Sequence, residues 1–238
     1  MEDYFRFKHF TIYQGGNIGL KVNTDSVLLG AWTKTNNTQN ILDIGTGNGI
    51  LALMMAQKSK AQITAIEINY ESCLIAVKNA IGSPWKERIN IINCGFQDYY
   101  KNNSNKFDLI ISNPPYFNNS LKNKSKEKLF ARHTDLLSHN ELIAGVSKLL
   151  TDDGNFCLIL PIEEKESFVK ECLFNKLYCT ETVEIKPRLN LPPNRVLMKF
   201  SKKFNNLSNY SLSIKTINSE RYTNEYKELT KNFYLNIK

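Results

Sequence analysis

The sequence predicts an α/β fold: a mostly parallel, seven-stranded sheet with helices on both faces and an antiparallel C-terminal hairpin. Three observations predict it. From residue 40 onward, short apolar strand-like runs alternate with segments of helical period. Strands separated by helices form βαβ units whose crossovers cover both faces of the sheet. The last two strand-like runs are joined only by a proline-rich turn, RLNLPPN, which points to an antiparallel pair. Finally, 238 residues suit one α/β domain with small additions.

The elements follow in order. Thr24 or Asp25 is placed to cap a helix running to Trp32. NILDIG is a buried strand and ILALMMAQKS a helix; QITAIEI is the next strand and YESCLIAVKNAI the next helix. INIINC and FDLIIS are two further strands. A polar, basic stretch over residues 118–128 reads as a mobile loop. LSHNELIAGVSKLL is a helix, opened by a capping box of Ser138 with Glu141. GNFCLILP, LYCTETVEIKP and RVLMKFSKK complete the strands, and TNEYKELTKNFYL is a final helix. The organisation is therefore a single domain over 1–238, with an N-terminal segment (1–39), a core (40–201) and a C-terminal extension (202–238).

Composition narrows the class. No run approaches the ~18 apolar residues of a membrane span. The opening MEDYFRFKHF is charged and aromatic rather than signal-like, so a cytoplasmic protein without a membrane partner is expected. Five scattered cysteines and three histidines form no metal-ligand spacing, so no metal is expected. The net charge of +8 fits a polyanionic partner. The oligomeric state stays open, with a monomer favoured.

Two stretches carry chemistry. Asp43-Ile44-Gly45-Thr46-Gly47-Asn48-Gly49 follows a strand and opens a helix, and Glu67 ends the next strand. Close glycines let a backbone approach a ligand, and an acid about 20 residues on can hold ribose hydroxyls. The spacing is G-x-G-x-G, and Ile50 stands where a dinucleotide fingerprint has its third glycine. The carboxylate of Asp43 would repel a pyrophosphate, but it suits a cationic amino-acid moiety. The second stretch is Asn113-Pro114-Pro115-Tyr116, at the end of the fourth strand of the core. Proline fixes φ and restricts the residue before it, so a rigid turn stands where doubly wound sheets bind ligands.

The glycine segment resembles the first motif of class I S-adenosylmethionine-dependent methyltransferases, which have a Rossmann-like fold. NPPY resembles the (D/N/S)-PP-(Y/F/W) motif of enzymes methylating planar amino or amide nitrogens, chiefly the amine of adenine. Residues 5–32, FRFKHFTIYQGGNIGLKVNTDSVLLGAW, resemble the opening of the bacterial tRNA1(Val) (adenine-37-N6)-methyltransferase family. The likeness continues through DIGTGNGILALMMAQ, ISNPPYF, ARHTDLLSHNEL, RVLMKF and NEYKELTKNFYL.

The resemblance implies S-adenosylmethionine as donor, S-adenosylhomocysteine as product and a tRNA anticodon-loop adenosine as acceptor. It implies cofactor contacts from Thr24, Asp43, Gly45, Thr46, Gly47, Glu67, Ile68 and Phe96. Phe96 is expected to pack on the cofactor adenine or in the core, with Asp98 an alternative reader of that adenine. Asn113, Pro114, Pro115 and Tyr116 would be catalytic: the Asn113 side-chain oxygen and the Pro114 carbonyl accept from the amine, and Tyr116 stacks on the base. Lys21, Arg132 and Lys186 are candidates for RNA phosphates. Three other readings share these motifs. They are a glutamine-N5 protein methyltransferase of the release-factor type, another RNA or DNA adenine N6-methyltransferase, and a non-catalytic RNA-binding protein on this scaffold.

Overall fold

A computed structural model describes residues 3–15, 20–114 and 137–236. Pro115, Tyr116, Arg132 and the basic stretch at 118–128 lie outside the described residues.

An N-terminal ribbon of β1 (Tyr4–Arg6) and β2 (Thr11–Tyr13) precedes helix α1 (Thr24–Trp32). The core then runs β3 (Asn40–Ile44), α2 (Ile50–Lys58), β4 (Gln62–Glu67), α3 (Tyr70–Ile81), β5 (Ile89–Asn93), α4 (Phe96–Asn102) and β6 (Phe107–Ser112). After residue 136 come α5 (His139–Leu149), β7 (Leu150–Pro161), α6 (Lys165–Phe174), β8 (Tyr178–Arg188), β9 (Arg195–Ser201), β10 (Ser208–Lys215) and α7 (Asn224–Thr230).

The main sheet has the order β10-β8-β9-β7-β6-β3-β4-β5. Only β9 runs against its neighbours, β7 and β8; every other pair is parallel. The β8–β9 hairpin is thus present as expected, with β9 inserted between β7 and β8. Among the described residues the sheet has eight strands rather than seven, because β10 extends the edge beside β8. Its sequence, SNYSLSIK, is mostly polar, and of it only Leu212 and Ser213 are buried; an edge strand with so little apolar content leaves a weak pattern.

Side-chain alternation splits the core into two layers. Ile41, Leu109, Ile111, Cys157 and Ile159 face one cluster, with α1, α2 and the aromatic residues of both chain ends. Leu42, Ile110, Phe156 and Leu158 face the other, against α4, α5 and α6. Strands covered on both faces are apolar throughout, which is why they read so clearly. α6 did not, because only Phe168 and Cys172 are buried along it. α7 ends at Thr230, earlier than its pattern suggested, and the chain beyond it returns to the N-terminal ribbon. There Lys8 N donates to Phe233 O at 2.8 Å, and Phe7 stacks between Phe10 and Tyr234.

Two caps test local readings. Ser138 and Glu141 form the expected capping box: Ser138 N donates to Glu141 Oε2 at 3.0 Å, and Glu141 N to Ser138 Oγ at 3.3 Å. At α1 the cap is Asn23, not Thr24 or Asp25. Its Oδ1 accepts from Ser26 N at 2.7 Å, and its extended backbone (φ −116°, ψ 157°) suits the position.

Candidate active site

Parallel topology brings the C-terminal ends of β3, β4, β5 and β6 to one edge of the sheet. Between β3 and α2 the chain turns through Gly45, Gly47 and Gly49, with φ of 70°, 57° and 85°. L-residues pay a steric penalty in that region, and glycine does not. A Cβ on Gly45 or Gly47 would meet no atom of the other described residues within 4 Å beyond its chain neighbours, so among these residues the two positions border open space where a ligand's atoms can approach the backbone.

Carboxylates hold the turn from both sides. Asp43 is fully buried. Its Oδ2 accepts from Thr46 Oγ1 at 2.5 Å and Ala52 N at 3.1 Å, while Oδ1 has no partner among the described residues. Burial pushes its carboxyl up to about 7, against the opposing pull of the Thr46 hydroxyl and the Ala52 amide. Glu67 Oε2 accepts from Gly47 N and Oε1 from Asn69 N, both at 2.9 Å. These two bonds fix the plane of the carboxylate while leaving each oxygen a further lone pair.

The N-terminal segment is stitched to the same turn. Asn48 Nδ2 donates to Leu20 O at 2.8 Å. Asn79 of α3 donates to Asn48 O at 2.8 Å and exchanges bonds with both backbone groups of Tyr13.

A cavity of about 340 Å³ opens along this edge. The turn and Glu67 form one wall; Ile68, Phe96 and Gln97 form another; Asn113 and Pro114 close the far end. A smaller cavity of about 140 Å³ shares Leu20, Gly45, Gly47 and Asn113 with it and reaches Lys21, Asn23, Ser26 and Thr46. β6 is pinned there by Ser112 Oγ, which donates to Ile44 O at 2.9 Å. Asn113 Nδ2 donates to Ser26 Oγ at 2.9 Å, and Pro114 is buried.

The structure therefore gathers Gly45, Thr46, Gly47, Glu67, Ile68, Phe96, Asn113, Pro114 and Lys21 around two adjoining cavities. Phe96 packs in the core against Tyr100 and Gly145 and also lines the larger cavity. Asp98 is exposed on α4 and lines neither cavity, whereas Gln97 does. Asp43 lies beneath the turn, and Thr24 is exposed beside the smaller cavity's Asn23 and Ser26. Lys186 is half-buried near the end of β8 and pairs with Ser213 of β10. Sequence reasoning missed Asn23, Ser26 and Gln97. Ser26 had a faint signal, as a small polar residue inside an otherwise apolar helix run.

The profile of the methyltransferase small domain family matches residues 20–181. A protein from Trichodesmium erythraeum named tRNA1(Val) (adenine(37)-N6)-methyltransferase is 41% identical over 234 residues, covering 97% of each chain. The chain belongs to the tRNA1(Val) (adenine(37)-N6)-methyltransferase family. A family member from Bacteroides fragilis is 39% identical and covers 99% of both chains; one from Pectobacterium carotovorum is 37% identical, covering 98% of this chain and 94% of its own. A solved structure of a predicted O-methyltransferase from Agrobacterium tumefaciens superposes with a TM-score of 0.70 at 18% identity. It covers 90% of this chain and 99% of its own, and at that identity it supports the fold. Membership of a methyltransferase family implies S-adenosylmethionine as methyl donor. The cavity fits such a group: among the described residues, space is open before two positive-φ glycines, a fixed carboxylate stands beside them, and a buried oxygen of Asp43 lacks a partner below.

Proposed function

We propose that this chain methylates the exocyclic amine of adenosine-37 in tRNA1(Val). The observation that carries the reading is the meeting of Asn113 and Pro114 with the glycine turn and Glu67 around one cavity, in a chain whose relatives bear that name over nearly their whole length.

The donor, S-adenosylmethionine, supplies an electrophilic methyl group on a sulfonium. Glu67 holds the two ribose hydroxyls with lone pairs that its backbone bonds leave over. The turn's backbone, with the Asp43 carboxylate and Thr46 behind it, faces the amino-acid end, whose ammonium needs acceptors, and Thr24 adds a contact there. Ile68 and Phe96 pack on the cofactor adenine.

The target amine is a poor nucleophile because its lone pair is delocalised into the base. Asn113 Oδ1 and the Pro114 carbonyl accept its two hydrogens. They draw the nitrogen towards tetrahedral geometry and aim its lone pair at the methyl carbon. The N–C bond forms as the C–S bond breaks, and water takes the proton from the methylated nitrogen. Pro114 and Pro115 supply the rigidity that a productive alignment needs. Tyr116 stacks on the extruded base, worth roughly 1–3 kcal/mol. An unpaired loop base is cheaper to extrude than one in a duplex. Lys21, Arg132 and Lys186 contact phosphates.

The test offers labelled S-adenosylmethionine to tRNA, ribosomal RNA, duplex DNA and a release factor in parallel. Label is expected in tRNA alone, as N6-methyladenosine. Label in glutamine would assign the protein-methyltransferase reading. tRNA binding with no label anywhere would assign a non-catalytic RNA-binding role.

A further inference from the structure

An asparagine amide has two ends of nearly the same shape, and rotation about its last torsion is broad and roughly two-fold. Only the oxygen end can accept from an amine. Turned the other way, the amide would point its own N–H donors at the amine's hydrogens. Something beside Asn113 must therefore hold the amide in place and favour the accepting orientation.

Ser26 stands there. It is 87 residues away in the chain, 5% exposed, and its Oγ accepts from Asn113 Nδ2 at 2.9 Å. Both residues line the smaller cavity. A hydroxyl can also donate, so the bond alone does not forbid the turned amide. What it does is hold the amide plane and, with the amine in place, satisfy the nitrogen end.

The platform under Ser26 is rigid. Asn23 caps the helix directly onto Ser26 N at 2.7 Å. Arg195 Nε donates to Asp25 Oδ2 at 3.0 Å, tying the first turn of α1 to β9. At the far end, Lys58 Nζ donates to the carbonyls of Gly30 at 3.1 Å and Ala31 at 2.7 Å, and to that of Thr33. From Val27 to Trp32 every residue of the helix is buried. A helix clamped at both ends does not follow a side chain; it fixes one.

We propose that Ser26 is a positioning residue for methyl transfer, its hydroxyl holding the Asn113 amide with the oxygen end towards the target amine. This rests on the reading of Asn113 as the amine's acceptor.

The experiment compares wild type, Ser26→Ala, Ser26→Cys, Asn113→Ala and the double variant Ser26→Ala/Asn113→Ala. Each is assayed for kcat and KM on tRNA, for S-adenosylmethionine affinity by calorimetry, and for melting temperature. Ser26→Ala is expected to lower kcat by roughly ten- to a hundredfold, the scale of a small misplacement of a reacting group, with cofactor affinity and KM nearly unchanged. Ser26→Cys, a weaker acceptor of similar size, should fall between. The double variant should be no slower than Asn113→Ala, since the serine acts only through the amide.

A Ser26→Ala enzyme with wild-type kcat would overturn the inference, as would a double variant that loses the product of both factors. If Ser26→Ala does not fold, Ser26→Cys decides: a lowered kcat at unchanged cofactor affinity supports the inference, and an unchanged kcat overturns it. Wild-type enzyme that forms no N6-methyladenosine in tRNA would overturn the functional reading and this inference together. A wild type that does form it, beside an equally active Ser26→Ala, overturns this inference alone.

Discussion

Replacing Asp43 by asparagine should remove a pH dependence of stability that the buried carboxyl imposes. Asp43 is fully buried and lacks a partner for Oδ1 among the described residues. Burial, less the contributions of Thr46 and Ala52, raises its pKa from 3.8 to about 7. The folded protein therefore keeps a proton that the unfolded chain gives up. Its contribution to stability is fully present below the unfolded value, and it is lost as pH rises through the folded one. The loss between pH 3.8 and about 7 is on the order of 4 kcal/mol. Asp43→Asn is neutral throughout and keeps an oxygen for Ala52 N.

Urea unfolding of both proteins in steps from mildly acid to mildly alkaline pH reads the effect. The advantage of the variant over wild type should grow as pH rises to about 7 and then level. A cationic donor group above the carboxylate should oppose the effect. S-adenosylmethionine binding to wild type near pH 7 should then release protons, seen as a buffer-dependent enthalpy that Asp43→Asn lacks. Stability curves that run parallel for the two proteins would refute the reasoning, because the difference isolates this one carboxyl.

Other expectations follow from the same geometry. Gly47→Ala, at φ 57° with open space before its Cβ, should cost about 1–2 kcal/mol in urea unfolding. It should weaken cofactor binding further by calorimetry, because the methyl enters the cavity. Glu67→Ala should weaken S-adenosylmethionine binding by roughly ten- to a hundredfold, the loss of charge-assisted bonds to hydroxyls. Asn113→Ala should lower kcat by about a hundredfold or more with cofactor affinity kept, since its bond is made to the reacting amine. Affinity for tRNA should fall steeply with salt, as a log–log titration would show for a chain of net charge +8 contacting phosphates.

Much of this was legible because burial on both faces leaves a plain trace. β3, β4 and β6 are apolar runs with helices between them, and the glycines stand where φ had to be positive. β10 and α6 were not legible, since an edge strand and a half-covered helix need few apolar residues. At the site, Glu67 and the turn could be paired from spacing alone. The bonds of Asn113 with Ser26, and of Asn79 with Tyr13 and Asn48, join residues 31 to 87 positions apart. No local pattern announces such contacts. The same holds for Gln97, which reaches the cavity while its neighbour Asp98 faces solvent; one residue of helical rotation separates the two.

The central claim is tested most directly by nucleoside mass spectrometry of purified tRNA1(Val) from a strain deleted for this gene. Position-mapped digests are compared with and without the gene restored. N6-methyladenosine should be absent at position 37 in the deletion strain, return with the wild-type gene, and stay absent with the Asn113→Ala gene. An unchanged modification at that position after deletion, or full restoration by Asn113→Ala, would contradict the account.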